Sequence, residues 1–272
     1  MLDLLVNVIV RMKNILLPTD FSQNSWNAIA YALQFLEHTA CNFYLLHVVN
    51  DADTTDVSSY FSELCTQIST SFLKQQHHHF FSIVRHCSFV ESVRDEVADK
   101  KIDMIIMGAK GVSNTQAHVV GHYAENVITK VKCKLLIIPE NATYKVFDEV
   151  AFPTDFTLAT DIQTLAPIDT ILNDKTTSLR ILHINKVTNE LNQHQQANKA
   201  LLEDFLDGRE YSFHFLSNTH VETAVENFTE RKDINLIIMA AKNLNYFKQI
   251  LFHSNVDHIS YHRKIPFLIL HE

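Results

Sequence analysis

Glycine is nearly absent, with four residues in a chain of 272 against an ordinary usage of roughly 7%. A chain this sparing keeps glycine where another residue is hard to place. Basic excess is lacking too. The formal net charge is −8 with no basic block, which excludes sequence-independent binding to a nucleic-acid backbone. None of the four cysteines forms a CxxC pair, so neither a zinc knuckle nor a dithiol redox motif is present. Cys41, Cys65, Cys87 and Cys133 are expected to be buried thiols in a reducing, cytoplasmic compartment. Long apolar runs are also missing. Leu2–Val10 is too short to span a membrane and has neither a basic leader nor a small-residue cleavage site. The strand pattern begins after Met12, so residues 1–11 are expected to be extraneous or a loose arm.

Catalytic signatures are absent as well. There is no G-x-S-x-G elbow, no G-K-[S/T] after a glycine loop and no H-E-x-x-H, so nothing marks an enzyme. The run Gln75-Gln76-His77-His78-His79 looks like a metal tract. Consecutive helical residues point in different directions, however, and a solvated helix end is the expectation.

What is present is a glycine cluster and a repeat. Gly108, Gly111 and Gly121 lie within fourteen residues, directly after the apolar run Met104–Met107. A bare loop between a strand and a helix lets backbone amides approach an anion beside the positive end of the helix dipole. A sharp turn with no ligand is the other reading. Lys110, inside the loop, is placed to supply a charge.

The chain repeats itself once. Pro18-Thr19-Asp20-Phe21 returns as Pro153-Thr154-Asp155-Phe156. Leu45-Leu46-His47-Val48 returns as Ile181-Leu182-His183-Ile184, and residues 102–111 match residues 234–243. The separations are 135, 136 and 132 residues, far beyond a solenoid period. They predict two tandem domains, 1–141 and 142–272, with the seam near Pro139–Phe147. In the first, strands are expected at 14–17, 43–49, 80–89, 102–107 and 135–138. Helices are expected at 24–38, 57–78, 90–100 and 121–131, the first capped by Ser22. The second half repeats the order. Alternation of this kind implies doubly wound parallel sheets of order 3-2-1-4-5 with helices on both faces. Ligands then sit at the carboxyl ends of the first and fourth strands, where Asp20 and the glycine loop lie. Asp20 reads either as a ligand contact or as a helix cap, and Asp155 as a cap or turn former. His47 and His183, at equivalent positions, read as packing residues.

P-T-D-F-S after strand one, L-L-H-V-V at strand two and G-x2-G-x9-G after I-I-M resemble the universal stress protein family over essentially the whole chain. The resemblance implies two flavodoxin-like (adenine nucleotide alpha hydrolase-like) domains and a role in stress sensing or signalling. It implies binding of ATP or another adenine nucleotide, with Mg²⁺ accompanying the ATP. Carried over by motif, Asp20 meets the base-ribose end and the backbone at Val48 the adenine. Gly108, Gly111, Gly121 and His122 meet the phosphates. His122 departs from the family's Ser or Thr; it is bulkier but able to donate. In the second half Ala240, Asn243 and His253 replace the glycines, and Ser254 keeps the hydroxyl. That half is therefore expected to bind no triphosphate. The family also implies an intramolecular pseudo-dimer in which Leu135–Ile138 pairs with Phe267–Leu270, open to further homodimerisation or to a protein partner. Two rival readings remain: an interaction module without nucleotide, and a slow ATP hydrolase using Asp20 and Lys110.

Overall fold

The computed structural model of the chain describes residues 12–49, 56–72, 77–110, 121–157, 168, 177–185, 190–217, 221–241, 250 and 261–271. The first half runs β1 (Lys13–Pro18), α1 (Gln23–Phe35), β2 (Cys41–Val48), α2 (Ser58–Ser71), β3 (His78–Arg85), α3 (Phe89–Asp99), β4 (Met104–Gly108), α4 (His122–Lys130) and β5 (Leu135–Ile138). The second runs β6 (Glu149–Pro153), β7 (Ser178–Asn185), α5 (Gln193–Phe205), β8 (Tyr211–Ser217), α6 (Val221–Arg231), β9 (Leu236–Ala240), α7 (Tyr261–Lys264) and β10 (Phe267–Leu270).

The ten strands among the described residues join one sheet, in the order β3-β2-β1-β4-β5-β10-β9-β6-β7-β8. Each half is parallel in the expected 3-2-1-4-5 order. The halves meet through the antiparallel pair β5–β10, with Phe267 opposite Ile137 and Ile269 opposite Leu135. β5 and β10 are buried along their whole length, as continuous apolar strands covered on both faces should be. Side chains alternate across the sheet. Leu17, Phe43 and Ile106 therefore pack on one face with Phe152 and Leu268, while Leu16, Ile105 and Ile137 pack on the other with Ile237 and Phe267. Each apolar layer runs through both halves.

The connection after β5 is held by α1. Asn27 Nδ2 donates to the carbonyl oxygens of Pro139 and Ala142 at 3.0 and 3.1 Å. Tyr144 sits edge-on to Tyr31 at 5.4 Å, and Phe147 lies 5.3 Å from Phe35. Burial pushes the Tyr31 phenol well above its usual range, and the neighbouring Tyr144 adds to the effect.

Two sequence expectations are corrected here. The helix expected over 57–78 ends at Ser71, and His78 and His79 belong to β3. His78 is 7% exposed and stands edge-on to Phe43 at 4.9 Å, so it is not part of a solvated helix end. The helix reading ran on because no glycine or proline interrupts residues 57–80. The thiols also divide: Cys41 and Cys133 are buried, whereas Cys65 and Cys87 are exposed, and all four are free. Residues 1–11 lie outside the described residues. Among the described residues no helix is long and apolar enough to cross a membrane.

Candidate functional site

The turn after β1 is built by its own side chains. Thr19 Oγ1 accepts from the Phe21 amide at 3.0 Å, and Asp20 Oδ1 accepts from the amide and hydroxyl of Ser22 at 3.1 and 2.5 Å. Ser22 Oγ in turn accepts from the Ser25 amide and caps α1. Asp20 is thus not the cap; it holds the residue that is. Phe21 adopts φ +59°, which costs a non-glycine residue on the order of 1–3 kcal/mol. Ring packing against Phe61, Tyr60 and His47 at 5.1, 5.4 and 4.7 Å offsets that cost.

The second half copies the turn. Thr154 Oγ1 accepts from the Phe156 amide, Asp155 Oδ1 from the amide and hydroxyl of Thr157, and Phe156 has φ +55°. Each half also repeats the histidine. His47 Nδ1 lies 2.8 Å from the Thr19 carbonyl oxygen, and His183 Nδ1 lies 2.9 Å from that of Thr154. A carbonyl only accepts, so both rings carry their proton on Nδ1. They tie the turn to the strand beside it.

At the carboxyl end of β4 the chain comes close to α1. A Cβ on Gly108 would stand 3.2 Å from the Asn24 carbonyl oxygen. The bare backbone there admits the first turn of α1. Ala109 donates to Ile138 O at 2.9 Å, and the Gly121 amide donates to Ala109 O at 2.7 Å. The ends of the glycine loop therefore meet beside β5.

Gly121 is the N-cap of α4 and makes no side-chain cap bond. By contrast, α1, α3 and α5 start on Ser22, Ser88 and Asn192, each of which accepts from its own helix. Among the described residues the start of α4 therefore has no side-chain cap, and Lys110 is half-buried on the same loop. Gly111, Asn243, His253 and Ser254 lie outside the described residues.

His122 opens α4 and is exposed. Asn126 Nδ2 donates to the His122 carbonyl at 2.8 Å and lies 2.9 Å from its ring Nε2. An amide nitrogen has no lone pair to offer, so Nε2 accepts and the ring proton is on Nδ1. Val48, half-buried at the end of β2, registers with Arg85. The fold thus gathers Asp20, Val48, Gly108, Lys110, Gly121 and His122 at the carboxyl ends of β1, β2 and β4. Tyr60, which is 45% exposed and stacked on Phe21, joins them. No spacing in the sequence pointed to it. A cleft of about 290 Å³ lies at the opposite ends of the strands, before β9 and β10, lined in part by Lys145, Glu230, Asn235 and Lys264.

Known proteins resemble this chain in sequence and in fold. A family profile described as the universal stress protein family matches residues 12–139. Universal stress protein MJ0531 of Methanocaldococcus jannaschii is 26% identical over 144 residues, covering 46% of this chain and 81% of that protein. A crystal structure of a universal stress protein from Archaeoglobus fulgidus superposes with a TM-score of 0.64 at 19% identity, over 94% of this chain and 97% of that one. PA1789, a functionally unknown protein from Pseudomonas aeruginosa, superposes at 0.62 with 12% identity, over 97% and 94%. These two likenesses establish the fold, through both halves.

Proposed function

Since residues 12–139 make this chain a member of the universal stress protein family, we propose that its first half binds an adenine nucleotide, ATP foremost, and serves stress sensing or signalling rather than turnover. The observation that carries this reading is the start of α4, a helix of nine residues that begins on a bare glycine beside β4 while its neighbours begin on capping side chains. The first-turn amides and the helix dipole suit phosphate oxygens. Lys110 would add charge, Asp20 would meet the ribose, and the backbone at Val48 would meet the base. Mg²⁺ would enter only with the triphosphate and would neutralise part of its charge. Ala240 stands at the place of Gly108 in the second half, which would remain without nucleotide and serve as the partner of the first.

Calorimetry of the full chain with ATP, ADP and AMP tests this. Binding of ATP that disappears in Gly111→Val, with the far-ultraviolet circular dichroism unchanged, is the expected result. Absence of heat at millimolar nucleotide overturns it. That outcome would favour the second reading, a protein-interaction module of the same fold, which has the engagement of His122 Nε2 by Asn126 in its favour. Phosphate release abolished by Asp20→Ala in a folded protein would instead indicate slow ATP hydrolysis.

A further inference from the structure

The second half carries a polar chain on the sheet face where the first half places Tyr44, Phe81 and Ile83. Arg180 Nε and Nη2 donate to the two carboxylate oxygens of Glu149, each at 2.7 Å, and Nη2 reaches Glu210 at 3.4 Å. Arg180 Nη1 donates to Ser212 Oγ at 3.0 Å, and Ser212 Oγ lies 2.8 Å from His214 Nε2. Phe228 flanks the imidazole at 4.9 Å. Ser212 and His214 are half-buried on β8, two residues apart and so on one face.

Donor counting sets the direction of the chain. A guanidinium only donates, so Ser212 Oγ accepts from Arg180 and its own hydrogen is left for His214 Nε2. Burial, followed by the charges of Lys232 and Arg180, holds the imidazole below its usual pKa against the opposing pull of Glu149. A neutral ring accepts that hydrogen. The arrangement is a hydroxyl aimed at a base, with the guanidinium hydrogen bond fixing the position of the oxygen.

The fold does not require it. Arg180 registers with Ser212 as Tyr44 registers with Phe81, so the positions of Arg180, Ser212 and His214 are those of Tyr44, Phe81 and Ile83 in the first half. There two rings stack at 5.1 Å and 21°. A charge pair in that place gains little over apolar packing, so stability does not account for the substitution.

We infer that Ser212 is a nucleophile, with His214 as its base, for small activated acyl esters that approach the sheet face of the second half. Ser212 Oγ bonds to the acyl carbon, its proton passes to His214 Nε2, and the leaving alkoxide or phenolate departs with the electrons of the broken ester bond. This site is separate from the proposed nucleotide site and stands or falls independently of it.

The test is incubation of the full chain with p-nitrophenyl acetate, followed by peptide mass mapping and nitrophenolate release. One acetyl group on Ser212 is expected. Its formation should slow about 100-fold in His214→Gln, the low end of general-base contributions, and the label should vanish from that peptide in Ser212→Ala. Because the imidazole is already neutral, the rate should stay level from about pH 6.5 upward. Acetyl confined to lysines, an equal rate at Ser212 in His214→Gln, or a rate climbing tenfold per pH unit through neutrality would each overturn the inference.

Discussion

His78 shows how one residue ties sequence, packing and pH together. Its imidazole is buried against Phe43. Burial lowers its pKa from the ordinary imidazole value; the charges of His77 and His79 add to the effect, and a hydrogen bond with the His77 backbone opposes it. His214 and His271 are lowered too, again chiefly by burial. The direction fixes the consequence. Above about pH 6.5 these rings are neutral in both the folded and the unfolded chain. Below it the unfolded chain takes up protons that the fold refuses, so stability falls with pH until the depressed folded values are passed. Urea midpoints measured from pH 8 to pH 5 should therefore decline below about 6.5. The decline should be shallower in His78→Leu; an identical slope in that variant would show that His78 is not a contributor. The residue also marks a limit of sequence reading. Three consecutive histidines after two glutamines carry no periodicity, and only the pairing of His78 with Cys41 turns the run into a strand.

At the scale of elements, the legible parts were those written twice. P-T-D-F with a following hydroxyl forms the same turn in both halves because Thr, Asp and Ser or Thr each satisfy a local backbone amide. The positive φ of Phe21 and Phe156 was not legible, since nothing in a phenylalanine announces it; ring packing from other elements decides it. Gly108 was legible as a position needing bareness, but its neighbour was not. The sequence directs attention to a ligand, whereas the atom nearest to the missing side chain is the Asn24 carbonyl of α1. This separation of roles is testable. In Gly108→Ala the added Cβ meets backbone 3.2 Å away, so α1 must shift against β4. A loss of about 1–3 kcal/mol in denaturant stability is expected, as for other overpacked contacts. A stability equal to that of the parent would place the requirement for glycine with the ligand alone.

For the molecule as a whole, the decisive element is one of the two shortest strands. β5 has four residues, all apolar and all buried, and its free edge is closed by β10 of the other half. Burying each such side chain stabilises by roughly 1.5–3 kcal/mol. Exposing the set would cost an amount comparable with the entire net stability of a domain, about 5–15 kcal/mol. The connection after β5 belongs to the same layer, since Ala142 and Phe147 pack with Ile15 and Phe152. A fragment of residues 12–148 therefore keeps its own linker packing but presents a bare apolar edge with unpaired backbone groups. An antiparallel pair of β5 strands from two copies would restore the geometry that β10 supplies in the full chain. Sedimentation of this fragment should show concentration-dependent dimers where the intact chain shows none through this edge. Leu136→Lys, which places a charge in the centre of the strand opposite Leu268, should shift the fragment toward monomer while circular dichroism reports its fold. A fragment that stays monomeric across the concentration range would mean that the first half closes its own edge and that β10 contributes alignment more than stability.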